Sequence, residues 1–248
     1  MILNDNRNVI AFPDANLLAE AAAERIVARL SSNSDRFAVC LTGGSSPKEL
    51  YALLAGTPYG NQIPWRLVHW FIGDERFVPA GDPLNNMAMA RRILLDRCAP
   101  AENVHPIPTD LGNPDEAARR YETELKSFYG ADRLDPLRPL FDVVLMGVGS
   151  DGHTASLFPG YPALCETERW VIGVPNAHVE PFVPRITLTL PVLGSCREML
   201  FEVSGADKRA ILARVLGGED LPAARAHALG ETTWLADRAA LPENFSVR

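Results

Sequence analysis

The stretch that most constrains the fold is DVVLMGVGSDGHTASLFPG, residues 142–160. It opens with the apolar run Val143 to Met146, which is typical of a fully buried strand. Residues 147–152 then carry three glycines, which let the backbone turn sharply and come close to a ligand. Open α/β sheets bind ligands at the carboxyl ends of their strands. His153, with Asp151 beside it, is therefore the best acid/base candidate in the chain.

The same glycines match the G-x-G-x-x-G pattern of dinucleotide-binding proteins. That pattern needs an acid about twenty residues on, at the end of the next strand. Here the next predicted strand, Trp170 to Val174, runs into Pro175 and Asn176 with no acid. Asp151 would also place a negative charge inside the phosphate loop, so we disfavour a dinucleotide site. On the residues alone, a capping or packing role for His153 stays open.

The first of two strand-to-helix turns that predict an anion site follows the apolar run Phe37 to Leu41. A glycine pair leads there to a helix that begins near Pro47, and Ser46 and Glu49 have the spacing of a capping box. The N–H groups at such a helix start bind anions. An ordinary tight turn is the alternative, and no Gly-Lys-Ser/Thr follows that would make a Walker A loop.

The second turn follows the predicted strand Met199 to Val203. Residues 204–208, SGADK, start a helix that runs to about Leu216 and has a lysine in its first turn. The helix dipole disfavours a cation at that end unless an anion lies between them. A lysine on a solvated face is the alternative.

The remaining pattern is an alternation of helices and strands. Further helices are predicted over 14–31, 87–95 and 115–129, and further strands over 68–72, 171–174, from 185 and near 232–235. The charged segment Gly73 to Arg76 follows a strand's carboxyl end, where sites are built, and a solvated loop is the alternative. The alternation predicts an α/β fold, a three-layer α/β/α sandwich with a mainly parallel, Rossmann-like sheet, formed by residues 1–248 as one domain.

Composition excludes several classes of protein. The chain has 248 residues, of which 47 % are hydrophobic and 22 % charged, so it can bury a sizeable core. No apolar run approaches the length of a membrane span, and the N-terminus lacks the pattern of a signal peptide. The net charge of −7 argues against a nucleic-acid surface. We expect a small-molecule ligand, with no nucleic acid and no membrane as partner.

The four cysteines are far apart and form no CxxC pair. We expect reduced thiols and a cytoplasmic protein. The cysteines are Cys40, Cys98, Cys165 and Cys196.

With these motifs in place, the sequence resembles a known family. GVGSDGHTASLFPG is similar to the signature of the 6-phosphogluconolactonases of the pentose phosphate pathway. The resemblance extends in the family's order to LTGGSSPKELY, GDERFVP, RITLTLPVL, VSGADKRAIL and TTWLADRAA, and covers most of the chain. It implies the layered fold shared with sugar-phosphate isomerases and deaminases. It also implies hydrolysis of 6-phosphoglucono-δ-lactone to 6-phosphogluconate. We expect a monomer or small homo-oligomer.

The candidate residues fit that implied chemistry. A lactone is an activated ester, so its hydrolysis needs a base for water and a place for the oxyanion. His153 is expected to deprotonate the water, and either Asp151 or Asp74 to orient its imidazole. Arg76, with nearby backbone N–H groups, is expected to stabilise the oxyanion or hold the substrate. The residues expected to hold the phosphate are Gly43, Gly44, Ser45, Arg185 and Lys208.

Neither a covalent nucleophile nor a metal is expected. The chain has no G-x-S-x-G elbow. His178 and Glu180 lie in a proline-rich loop, 175–184, but have no partner at metal-ligand spacing. We therefore expect no metal site and no cofactor.

Two other functions stay open. A sugar-phosphate deaminase or isomerase would share the phosphate loops and the Asp-Gly-His core, but the deaminases carry a glutamate five residues after the histidine, where this chain has Phe158. A non-enzymatic sugar-phosphate sensor would not need His153. The chain also departs from the family at 176–180 and at Asn85, and both places are expected to touch the rim of the substrate site.

Overall fold

The computed structural model describes residues 8–31, 35–243 and 245. The strands are β1 (Asn8–Phe12), β2 (Phe37–Leu41), β3 (Val68–Ile72), β4 (Asp74–Arg76), β5 (Phe141–Met146), β6 (Val171–Val174), β7 (Arg185–Leu188), β8 (Cys196–Val203) and β9 (Glu231–Asp237). Six of them form a sheet in the order β1-β9-β8-β5-β2-β3, in which every neighbouring pair is parallel. The other three form an antiparallel sheet in the order β4-β7-β6.

Helices connect these strands. The α-helices are α1 (Ala15–Leu30), α2 (Pro47–Ala55), α3 (Asn86–Ala90), α4 (Asp96–Cys98), α5 (Pro114–Tyr129), α6 (Leu190–Gly194), α7 (Arg209–Leu216) and α8 (Pro222–Arg225). Helices alternate with the parallel strands. Parallel pairing requires such crossovers, because the chain must return to the same end of the sheet before the next strand begins. The predicted fold class, α/β with a mainly parallel sheet and flanking helices, is confirmed.

The core lies on the central strands of the large sheet. All five residues of β2 are buried, as are the last four of β5, and both read as continuous apolar runs. Such runs are typical of parallel strands that are covered on both faces. Phe201 of β8 stacks on Trp234 of β9, with ring centroids 3.8 Å apart.

Helix α1 shows how the flanking layer is fixed. Asp14 accepts hydrogen bonds from two N–H groups of the first turn, so the predicted helix over 14–31 is confirmed. Its buried stripe faces the sheet, and its arginines reach a buried acid of β8. Glu198 Oε1 accepts from Arg25 Nε at 2.6 Å, and Glu198 Oε2 accepts from Arg29 Nη2 at 2.8 Å.

One local prediction is wrong. Ser46 already has helical dihedrals, φ −58° and ψ −44°, and makes no side-chain capping bond, so the capping box with Glu49 does not form. The segment Asp74 to Arg76, for which a solvated loop was the alternative, is a strand because it pairs with β7. The helix predicted over 87–95 forms, and its second half, Arg91–Leu95, is a π-helix.

Within the described residues, no helix is both long and apolar enough to cross a membrane. Residues 1–7, which entered the prediction that the chain has no signal peptide, lie outside the described residues.

Candidate active site

A cleft of about 650 Å³ opens at the carboxyl ends of β2, β5 and β8, with the small sheet along one side. This is where an open α/β sheet is expected to bind its ligand. The predicted site residues that line it are Gly43, Gly44, Ser45, Asp74, Arg76, His153, Arg185 and Lys208. Asp151 does not line the cleft, but it contacts His153. The structure thus brings all the predicted residues together.

The His153 imidazole is fixed by Asp151. Its Nδ1–H donates to Asp151 Oδ1 at 2.6 Å, and its backbone N–H donates to the same oxygen at 3.1 Å. A carboxylate accepts only, so the imidazole proton lies on Nδ1 and the Nε2 lone pair is left free. Nε2 makes no hydrogen bond among the described residues, and His153 lines the cleft.

Asp151 also holds a second histidine. His178 Nε2 lies 3.0 Å from Asp151 Oδ2, so one carboxylate bridges two imidazoles. Burial alone would raise the pKa of Asp151, but the hydrogen bonds from His153 and His178 hold that pKa below its ordinary value. Asp151 therefore stays ionised and supports the tautomer of His153.

The backbone next to His153 packs closely against its imidazole ring. A Cβ on Gly149 would overlap the imidazole of His153, so this position requires glycine. The Gly149 N–H donates to the His153 carbonyl at 2.8 Å and closes the loop. On the other side the ring packs against Phe158, with centroids 4.9 Å apart.

Asp74 lies in the cleft wall, away from the imidazole. It is 6 % exposed, and its Oδ2 accepts from Ser156 Oγ at 2.6 Å. Of the two acids predicted to orient His153, the structure therefore places Asp151 on the imidazole. Asp74 instead presents a buried carboxylate from β4 to the cleft.

The neighbouring Glu75 explains why this charged segment is buried. Its carboxylate accepts from the backbone N–H groups of Arg76, Asn86 and Met87 at 2.7–2.9 Å. It thereby satisfies the free N–H groups at the start of α3 from outside the helix. Burial raises the pKa of Glu75 to about 7, against the effect of these hydrogen bonds.

Two arginines lie side by side on the small sheet. Arg76 and Arg185 are directly paired residues of β4 and β7, and both line the cleft. Arg76 Nη1 donates to the Leu84 carbonyl at 2.9 Å, and Arg185 Nη2 donates to the Pro181 carbonyl at 2.9 Å. Arg185 is 3 % exposed, and its buried Nε has no partner among the described residues. The pair thus places two guanidinium groups on this wall, beside the carboxylate of Asp74.

The glycine loop after β2 faces the arginines across the cleft. A Cβ on Gly43 would overlap the side chain of Asn86, whose Nδ2 donates to the Asp74 carbonyl at 3.0 Å. At the loop's base, Tyr51 Oη accepts from the Thr42 N–H at 3.0 Å and donates to the Thr42 carbonyl at 2.7 Å. Asn86 and Tyr51 therefore fix both the loop and its distance from β4.

Lys208 reaches the cleft from the turn after β8. Its Nζ donates to the Val148 carbonyl at 3.0 Å and lies 3.9 Å from Asp207 Oδ2. The ammonium thus stands at the glycine-rich end of β5, between the two predicted anion-binding turns. A bound anion at this position would offset the unfavourable interaction between the Lys208 ammonium and the helix dipole.

The sequence did not reveal three features of the site. The small sheet that carries Asp74 and Arg185 depends on pairing between distant segments. His178 has no spacing signal, because its partner Asp151 comes from another loop. Glu202 reads as part of an apolar strand, yet it lines the cleft. Alternation along β8, which puts Glu202 on the same face as Glu198, was the one available signal.

Of the two places where the chain departs from the family, one lines the cleft and the other does not. Asn85 does not line the cleft: it is 4 % exposed, and its Oδ1 caps α3 by accepting from the Ala88 N–H at 2.8 Å. The expectation that it touches the substrate rim is wrong. The 176–180 segment does reach the rim, since Val179 and Glu180 line the cleft.

Among the described residues, no group of three or more His, Cys, Asp or Glu side chains is arranged to hold a metal ion. The cleft offers cations, backbone N–H groups and one oriented imidazole. These groups suit an anionic substrate and proton transfer.

Comparison with known proteins assigns the chain to a family. Residues 13–234 match the family described as glucosamine-6-phosphate isomerases/6-phosphogluconolactonase. The chain belongs to this family. Membership agrees with the motifs that carried the resemblance. Because the family description names both isomerases and a lactonase, the residues of the site are needed to distinguish the two reactions.

Individual members of the family are similar along their whole length. A 6-phosphogluconolactonase of Nostoc is 39 % identical over 242 residues, which cover 94 % of this chain and 97 % of the relative. One of Streptomyces coelicolor is 37 % identical over 249 residues, covering 96 % and 95 %. The solved structure of a 6-phosphogluconolactonase from Trypanosoma cruzi is 29 % identical, has a TM-score of 0.86 and covers 98 % of both chains.

Proposed function

We propose that this protein hydrolyses 6-phosphoglucono-δ-lactone to 6-phosphogluconate, with His153 as the general base. The observation that carries the proposal is the hydrogen bond of 2.6 Å from His153 Nδ1 to Asp151, which leaves Nε2 of this cleft-lining histidine free to accept a proton. The family members of similar length that bear the name 6-phosphogluconolactonase support the same reaction.

The base step follows from the tautomer. With its proton on Nδ1, the imidazole takes a proton from water at Nε2, and the water oxygen attacks the lactone carbonyl. The imidazolium that forms is stabilised by the ionised Asp151, as in other histidines backed by a carboxylate. Nε2–H then returns the proton to the ring oxygen when the C–O bond breaks, so the histidine ends neutral.

The two ends of the substrate are held by separate cations. Arg76 is placed on the small sheet to stabilise the developing oxyanion or to hold the substrate near it. In this proposal the phosphate lies between the glycine loop Gly43–Ser45, Lys208 and Arg185, all of which line the cleft. Backbone N–H groups and cations together form a typical phosphate site.

A deaminase or isomerase fits the site less well. Such a reaction opens the sugar ring and moves a proton at carbon, which calls for a further acid near the histidine. Phe158 occupies that place: it is fully buried and packs against both His153 and His178. A phenyl ring cannot donate or accept a proton. A lactonase needs only one base, one water and an oxyanion site.

The test uses one preparation and two assays. We expect acid release from freshly made 6-phosphogluconolactone, measured by pH-stat, well above the spontaneous rate. We expect no ammonia from glucosamine 6-phosphate. Ammonia without acid release would show a deaminase. Neither signal, together with binding of sugar phosphates, would show a sensor.

A further inference from the structure

Strand β8 carries two buried acids on one face, and their surroundings differ. Glu198 is 2 % exposed and is held by Arg25 and Arg29 of α1. Glu202, four residues on, is 4 % exposed, and its Oε1 has no hydrogen-bond partner among the described residues. An ionised carboxylate that is buried without a partner is strongly unfavourable, so such a group remains protonated or meets a ligand. Of the two acids, only Glu202 lines the cleft.

The position of Glu202 points to one part of the cleft. Burial raises the pKa of Tyr51 from α2, and the nearby carboxylate of Glu202 adds to that rise, so the two side chains lie close together. The Tyr51 hydroxyl bonds to the backbone of Thr42 at the base of the glycine loop. Two residues later in the chain, Ser204 lines the cleft too, and Lys208 follows. Glu202 therefore lies beneath the space between the two anion-binding turns.

We propose that Glu202 is part of the floor of the phosphate subsite and donates a hydrogen bond from its carboxylic acid group to a phosphate oxygen of the substrate. The proposal rests on the proposed function, because it assigns a residue to the substrate's phosphate. It adds a specificity-determining contact that distinguishes phosphorylated from unphosphorylated ligands.

The protonation state fits this role. Burial raises the pKa of Glu202 to about 8, so the group is neutral at pH 7. A protonated carboxyl has one O–H donor, and proteins use buried neutral acids in this way. A phosphate monoester has its second pKa near 6, so it is a dianion that accepts this hydrogen bond. Above pH 8, the ionised Glu202 would instead repel it.

Other titratable groups face the same cleft and must be separated from Glu202. Tyr51 of α2 is buried near Glu202 and does not line the cleft. The charged or titratable groups that line the cleft are Glu49, Asp74, Arg76, His153, Glu180, Arg185, Asp207 and Lys208. A variant at Glu202 that keeps a hydrogen-bond donor but cannot ionise separates the contribution of Glu202 from those of the other titratable groups.

The experiment is calorimetric binding of 6-phosphogluconate and of gluconate at pH 7 and pH 9. For the wild type, we expect 6-phosphogluconate to bind roughly tenfold more weakly at pH 9, because about a tenth of Glu202 remains protonated one unit above its pKa. Glu202→Gln keeps an N–H donor at both pH values, so its affinity should fall far less between them. Glu202→Leu should lose roughly 10- to 100-fold at pH 7, the usual effect of removing a hydrogen bond to a charged group.

Gluconate and a second acid serve as controls. Gluconate binding should change little in either Glu202 variant. Glu198→Gln, on the same face of β8 but outside the cleft, should keep the wild-type loss of affinity at pH 9. Circular dichroism establishes that each variant is folded.

The outcomes separate this inference from the proposed function. If lactone hydrolysis is normal but Glu202→Gln loses affinity at pH 9 as the wild type does, the role of Glu202 is overturned and the lactonase stands. If the expected binding pattern occurs without lactone hydrolysis, the lactonase fails and the phosphate contact stands. A wild type that binds 6-phosphogluconate at neither pH, or equally well at both, overturns the role of Glu202 and leaves the lactonase to the hydrolysis assay.

Discussion

A single carboxylate determines what His153 can do. Asp151 accepts from His153 through one oxygen and from His178 through the other, so its position is fixed from two sides. Because it is fixed and ionised, it holds the proton of His153 on Nδ1 and leaves Nε2 free to accept a proton, as the proposed mechanism requires. The chemistry therefore depends on a side chain that does not itself line the cleft.

The histidine can be tested by removal. His153→Ala should lower kcat for 6-phosphogluconolactone by about 10²- to 10⁴-fold, the usual contribution of a general base. Binding of 6-phosphogluconate should persist, because the phosphate contacts come from other elements. The measurement is a pH-stat assay with calorimetry on the same sample. His227→Ala, at an exposed histidine outside the cleft, is the matched control. Near-normal turnover in folded His153→Ala would remove His153 from the mechanism.

At the scale of elements, the proposed phosphate subsite combines two strand-to-helix turns at the carboxyl ends of β2 and β8. Each turn alone offers backbone N–H groups, and Lys208 adds a cation whose ammonium already lies on the Val148 carbonyl. Between the two turns runs the glycine-rich end of β5, so the site forms only when the three strands lie in the observed order.

Lys208→Ala should therefore discriminate between substrates. A hydrogen bond to a charged group contributes roughly 1.5–3 kcal/mol, so kcat/KM for 6-phosphogluconolactone should fall by about 10- to 100-fold. Hydrolysis of unphosphorylated gluconolactone should change little, because it lacks the anion. Parallel rate measurements with both lactones provide the comparison. Lys48→Ala, on the helix after the glycine loop but not lining the cleft, is the control. Equal losses with both lactones would show that Lys208 is structural.

The sequence predicted the elements that depend on local patterns. The apolar runs of β2, β3 and β5 and the cap of α1 are readable along the chain, and the glycine-rich end of β5 marked the site. The small sheet was not readable, because β4 is three residues long and owes its form to pairing with β7. The partners of Asp151 and the orphaned acid of Glu202 likewise arise from segments far apart in sequence.

At the scale of the whole molecule, charged and titratable groups are buried well beyond the site, and they link stability to pH. At the edge of the large sheet, His69 Nδ1 lies 2.9 Å from His105 Nε2, and His105 Nδ1 lies 2.7 Å from Glu124 Oε1. Phe128 packs against both imidazole rings. This chain of polar groups ties the edge strand β3 to α5, away from the cleft.

Acid should loosen this edge. Burial, helped by His105 and Arg36, lowers the pKa of His69 to about 4 from an ordinary 6.5. Between pH 6.5 and 4 the unfolded chain therefore binds a proton that the folded chain does not, so the free energy of unfolding falls as the pH falls. With a discount for partial exposure, the loss assigned to His69 is about 1–2 kcal/mol.

His69→Phe isolates that loss. The phenyl ring suits the aromatic cluster but cannot take up a proton, so the variant should lose about 1–2 kcal/mol less than the wild type on acidification. The measurement is urea unfolding of both proteins at pH 7 and pH 4.5, with the difference between the two pH values compared rather than the absolute stability. This comparison removes the constant cost of breaking the His105 contact. His227→Phe, at an exposed histidine, should show the wild-type difference. Equal acid losses in wild type and His69→Phe would show that His69 titrates alike in the folded and unfolded chain.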